Sequence, residues 1–310
     1  MFVIILQKRV LMRFLIIFIA GLLFAVEIKP VIPVKYNKQK AKIGKMLFCD
    51  KTLSKHKDIS CNSCHNLKNY GVDNMRFSVG SGGIVDKPMN TLSVYNAVYN
   101  VAFFWNGRAE NLEDQVIESL TDKKEHGLCK KEIVDIVSSN QKYVKLFKKF
   151  YSQKPNIHNI ANAIAEFEKS LITPDCRFDR YLKGDKNAIT QKEKRGYYKF
   201  KMYGCITCHN GRNVGGNSFQ KLGVFLNENR FIRGLDRYEV TKLITDKFVY
   251  KVPSLRNVEK TYPYFHDGSV KSLKKAISLM GELNLGIELS KKDVDDIEAF
   301  LKTLTGDTVK

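Results

Sequence analysis

The stretch Cys61-Asn62-Ser63-Cys64-His65 decides the reading of this chain, because a C-x-x-C pair with a histidine directly after it is the attachment signature of a c-type haem. The spacing answers to chemistry. Two thioethers pin the porphyrin through its vinyl groups while the adjacent imidazole reaches the iron as proximal ligand. The pattern returns at Cys205-Ile206-Thr207-Cys208-His209, so Cys61, Cys64, His65, Cys205, Cys208 and His209 are the candidate holders of two covalently bound haem c groups. C-x-x-C pairs also serve zinc sites and redox dithiols, but neither chemistry asks for a histidine after both pairs.

Working outward, each motif is preceded by a helical pattern. Residues 38–48 place Ile43, Met46, Leu47 and Phe48 at helical spacing, and Thr190 to Tyr203 opens with a capping box, Thr190 and Glu193, before Tyr197 and Phe200. Gly44-x-x-x-Phe48 and Gly196-x-x-x-Phe200 correspond, a weak internal repeat that points to two related haem domains in tandem. Between them Lys130–Tyr151 and Ile157–Ile172 read as amphipathic helices, and in the tail Val270–Met280 and Ser290–Leu304 do the same. Strand signals are poor throughout. The expected fold is mainly α, two tandem cytochrome c-like haem domains with long loops, in which Gly80–Gly83 and Gly211–Gly216 wrap the haems. The domains are read as 26–175 and 176–310.

The start of the chain carries Lys8, Arg9 and Arg13 and then the apolar run Phe14–Ala25, the pattern of a signal peptide over residues 1–25. An uncleaved anchor is the competing reading, although the run falls short of the ~20 residues of a comfortable span. Either way the chain is expected to be exported, with the periplasm as its compartment. Of seven cysteines, Cys49, Cys129 and Cys176 lie outside the haem motifs, and the sequence leaves open one disulfide with a free thiol or three unpaired thiols. The formal net charge of +20 becomes +17 without residues 1–25, which hold three basic and no acidic side chains. Such a surface steers an acidic redox partner or holds the protein near anionic lipid. A nucleic-acid role is not expected, since the lysines are scattered and no binding motif accompanies them.

The order of motifs resembles the bacterial di-haem cytochrome c peroxidases and their relatives, the methylamine-utilisation haem enzymes. The resemblance runs over residues 38–306, through Asn96-Ala97-Val98-Tyr99-Asn100, Phe104-Trp105-Asn106-Gly107-Arg108-Ala109, Ala165-Glu166-Phe167-Glu168-Lys169-Ser170-Leu171, Val252-Pro253-Ser254-Leu255-Arg256-Asn257-Val258 and Pro263-Tyr264-Phe265-His266-Asp267-Gly268. It implies a division of labour. The haem on His209 takes electrons from a c-type cytochrome and the haem on His65 reduces hydrogen peroxide to water.

By the same resemblance Met280 is the distal ligand of the electron-transfer haem, and Trp105 lies on the electron path. Gln115 and Glu125 are peroxide-site residues, with Phe104 on the pocket wall. Asn90 joins the carbonyls of Thr261 and Pro263 in a calcium site, and a homodimer is the expected assembly. The alternatives are a di-haem enzyme that oxidises a protein substrate and a di-haem electron carrier. Met280 stands against the first, because those relatives use tyrosine there, and Gln115 and Glu125 stand against the second. One departure from the family matters more than the others, which are Asn106 for the usual aspartate and Leu92 for a proline. Activatable members carry a distal histidine where this chain has Ser81, and they must be reduced before that ligand leaves the iron. An open sixth position on the His65 haem is therefore expected, with Met75, Met89 or a lysine as rival occupants.

Overall fold

Asn37 starts the first helix by accepting from the N–H groups of Gln39 and Lys40, and α1, Lys38–Phe48, then buries Ile43, Gly44, Leu47 and Phe48 on one face. This computed structural model describes residues 26–85, 89–226, 231 and 235–308; the expected signal segment, 1–25, lies outside them. The next helices are α2, Leu112–Thr121, α3, Lys130–Ser139, α4, Gln141–Tyr151, and α5, Ile157–Lys169. The second half holds α6, Gln191–Met202, α7, Leu273–Met280, and α8, Lys291–Lys302. The capping box foreseen at Thr190 and Glu193 is present at the start of α6.

Two expectations change. The single helix foreseen over Lys130–Tyr151 is broken at Asn140, which ends α3 and caps α4 by accepting from Lys142 N–H. One residue serves both ends, its backbone N–H donating to the Val137 carbonyl and its side-chain oxygen accepting from Lys142, so the apolar stripe turns a corner without losing its period. The poor strand signal conceals one short antiparallel pair, β1, Phe219–Lys221, with β2, Val249–Lys251, in which Phe219 faces Lys251.

The repeat seen in the sequence is a repeat of packing. A Cβ on Gly44 would stand 1.8 Å from the Ala163 carbonyl oxygen, and one on Gly196 would stand 1.9 Å from that of Asp296. Each glycine thus lets the helix entering a haem motif cross the helix that closes its unit, α1 on α5 and α6 on α8. The phenylalanine four residues on then meets its counterpart, Phe48 with Phe167 at 5.3 Å between ring centroids and Phe200 with Phe300 at 5.2 Å. Two apolar cores result, one around Phe48, Phe147 and Ile164, the other around Phe178, Phe200 and Phe300. Ile28 packs into the second core and bridges to Gly211, so the first described residues lie against the C-terminal unit.

Thr173 joins the two units. Asn96 donates to its hydroxyl at 2.8 Å and accepts its N–H at 2.9 Å, while Asn257, within 3.4 Å of the same hydroxyl, accepts the Gly306 N–H at 3.1 Å. All of these groups are buried, where satisfied hydrogen bonds fix geometry more firmly than at the surface. No disulfide forms: Cys49 and Cys129 are exposed, and Cys176 is buried beside the Arg256 guanidinium. Among the described residues no helix is long and apolar enough to cross a membrane.

Candidate functional site

Each C-x-x-C-H stretch forms one helical turn at the wall of a cavity. In the first, the Ser60 N–H donates to Ser63 Oγ at 3.0 Å and the His65 N–H to the Cys61 carbonyl at 2.9 Å, so the chain leaves the turn at His65. His65 Nδ1 lies 3.3 Å from the Gly71 carbonyl, and His209 Nδ1 lies 3.4 Å from that of Val214. A carbonyl at Nδ1 sets the tautomer and leaves Nε2 to act as a ligand. Burial lowers the pKa of His65 and pushes that of His209 down to about 4, so both rings are neutral at pH 7.

The first cavity brings together Cys61, Cys64 and His65 with Phe104, Trp105, Gln115 and Glu125. Gln115 comes from α2 and donates to Ser119 Oγ at 3.0 Å; Glu125 comes from the turn after that helix, and its charge acts on His65. Phe104 sits at a φ of +62° with the Arg108 guanidinium 3.4 Å from its ring centre. The second cavity brings together Cys205, Cys208 and His209 with Met280, at the end of α7. Asn90, Thr261 and Pro263 share its wall; the Asn90 amide donates to the carbonyls of Met75 at 2.9 Å and Arg76 at 3.2 Å. Trp105 belongs to both cavities. Its indole donates to the Asn90 carbonyl at 2.8 Å, and the ring is buried.

Ser81 lies outside the lining of the first cavity, although its neighbour Gly80 is part of it. Its hydroxyl donates to Asp58 Oδ1 at 2.8 Å and accepts the His56 N–H at 2.9 Å. Of the rival occupants, Met89 lines the cavity and Met75 does not. Among the lining residues given no role from sequence are His126 and Glu168. His126 follows Glu125 and lies with Nδ1 on the Leu53 carbonyl and Nε2 3.9 Å from Cys61 Sγ; in sequence it looked like part of a charge run. Glu168, buried on α5, has its pKa pushed up to about 8 by burial, with the Glu113 charge adding, and its Oε2 finds no hydrogen-bond partner among the described residues. Its position four residues after Ile164 on the apolar stripe was the available signal.

These linings fit haem. Each has a neutral imidazole beside a thiol pair. Burial raises the thiols of Cys61 and Cys208, and lifts that of Cys205 to about 11.

Comparison with known proteins agrees. Residues 38–187 match the family described as di-haem cytochrome c peroxidase. The chain is 45% identical to cytochrome c551 peroxidase of Nitrosomonas europaea over 293 residues, covering 93% of this chain and 87% of that relative. It is 39% identical to cytochrome c551 peroxidase of Pseudomonas aeruginosa over 276 residues, covering 87% and 80%. Among solved structures, a MauG-like protein associated with microbial copper homeostasis superposes with a TM-score of 0.77 at 27% identity, over 90% of this chain and 93% of that one. The chain belongs to the di-haem cytochrome c peroxidase family.

Proposed function

We propose that this protein reduces hydrogen peroxide to water at the His65 cavity with electrons that enter at the His209 cavity from a reduced cytochrome. The observation that carries the reading is Trp105, a buried indole in the wall common to both cavities. Two haems are the cofactors. Cys61 and Cys64, and likewise Cys205 and Cys208, hold them as thioethers, with His65, His209 and Met280 as iron ligands. Haem supplies the iron at which peroxide binds and through which single electrons pass.

The chain's own residues supply the rest. Gly71 and Val214 hold the proximal rings by their carbonyls. Glu125 takes the proton from the near oxygen of peroxide and returns it to the far oxygen, which leaves as water. Gln115 orients the peroxide, and the Phe104 ring covers the site and excludes bulk water. Met280 would supply a thioether ligand to the haem held by His209, which favours the reduced iron of an electron-accepting haem. Asn90 with the Thr261 and Pro263 carbonyls offers the oxygen ligands that calcium takes.

The basic surface, +17 without the first 25 residues, suits an acidic c-type cytochrome donor. Residues 1–25 suit export to the periplasm, and a homodimer is the proposed assembly. The test is peroxide consumption by purified holoprotein with a reduced c-type cytochrome. Two donor molecules oxidised per peroxide is the expected result. Donor oxidation without peroxide loss, or no reaction with either, would overturn the reading.

A further inference from the structure

The wall between the cavities contains one charge. Residues 90–93, Asn100, Trp105 and Lys251 line both cavities, and of these Lys251 alone is ionisable. The strand β2 fixes it there: the Lys251 N–H donates to the Trp105 carbonyl at 2.7 Å, and Phe219 stands opposite it on β1. The residue is 2% exposed. Among the described residues no hydrogen bond or ion pair engages its ammonium, and burial is the sole influence on its pKa, which falls to about 8.

An ammonium taken out of water without a partner is among the costliest arrangements a protein can hold, and a natural fold retains one where an anion arrives to meet it. Among the described residues no protein carboxylate pairs with Lys251. Glu125 and Glu168 line only the first cavity. The anions that haem itself carries are its propionates. We propose that Lys251 is a haem-propionate binding residue, its ammonium pairing with a propionate carboxylate where the two cavities adjoin, beside Trp105. This rests on reading the cavities as haem sites. A cation at this point also acts on redox balance, because it favours the extra electron of a reduced haem on either side of the wall.

The test starts from wild-type holoprotein shown by pyridine haemochrome to carry two haems; a wild type without them would overturn the functional reading itself. Redox titration of Lys251→Met and Lys251→Arg then follows the midpoint potential of each haem. With both haems loaded, Lys251→Met should lower at least one potential and Lys251→Arg should stay near wild type. Unchanged potentials in Lys251→Met, or equal shifts in both variants, would refute the pairing. Should Lys251→Met fail to mature, the crystal structure of the wild-type holoprotein decides. Lys251 Nζ within hydrogen-bond distance of a propionate oxygen supports the proposal; Nζ on an iron, or with no carboxylate in reach, overturns it.

Discussion

The hydroxyl of Ser81 donates to the Asp58 carboxylate at 2.8 Å, and the Ser81 N–H donates to the Glu125 carbonyl at the same distance. The loop at Ser81 is thus tied at both ends of one residue, to the segment before the first C-x-x-C-H stretch and to the turn that carries Glu125. Gly80 packs on the same turn, where a Cβ would stand 2.3 Å from the Lys124 carbonyl oxygen.

This tie is sensitive to acid. Asp58 also accepts the Gly82 N–H at 2.7 Å, and that bond, followed by the one from Ser81, lowers its pKa from 3.8 to about 2. A depressed carboxylate contributes its stabilisation in full above the ordinary value and loses it as pH falls through the folded one. The protection factor of the Gly82 amide, its exchange rate relative to the unstructured rate at the same pH, should therefore fall between about pH 4 and pH 2. In Asp58→Asn that step should be absent. An identical pH profile in both proteins would contradict the assignment.

Glu125→Gln should keep both haems and lower peroxide turnover by a factor on the order of 10²–10⁴, the usual cost of losing a positioned proton-transfer group. Steady-state peroxide consumption normalised to haem content checks this. Near-normal turnover would remove Glu125 from the mechanism.

Gly196→Ala should destabilise the C-terminal unit by about 1–3 kcal/mol through overpacking, since its methyl would fall on the Asp296 carbonyl of α8. Thermal unfolding against an exposed control such as Lys275→Ala reads the effect. Gly44→Ala should do the same to the N-terminal unit. Equal melting temperatures for variants and control would mean that the helix crossings are looser than described.

Donor turnover at low cytochrome concentration should fall as ionic strength rises, because salt shortens the reach of the basic surface to about 10 Å at 0.1 M. A flat profile with an acidic donor would show that charge does not steer the encounter.

The two candidate haem sites were legible because the C-x-x-C-H spacing is the pattern of a covalent chemistry written in adjacent residues. Helices such as α1 and α6 were legible from their apolar period and, at Thr190, from a capping box. The break at Asn140 was not, since one residue acting at two helix ends leaves the hydrophobic stripe uninterrupted. Glu125 and Met280 became candidates only through resemblance, because a lone acid beside lysines and a methionine on an apolar helix carry no local signal. Glu168, His126 and Lys251 face the cavities through contacts between distant segments, and a chain read in order does not show which segments meet.

Electron paramagnetic resonance of the fully oxidised holoprotein tests the account most directly. With Ser81 bonded to Asp58 and outside the cavity, the spectrum should show one high-spin ferric haem, on His65, beside one low-spin ferric haem, on His209 and Met280. The same sample should react with peroxide without prior reduction. Two low-spin signals, with activity appearing only after reduction, would contradict the account and place another group, Met89 foremost, on the iron at His65.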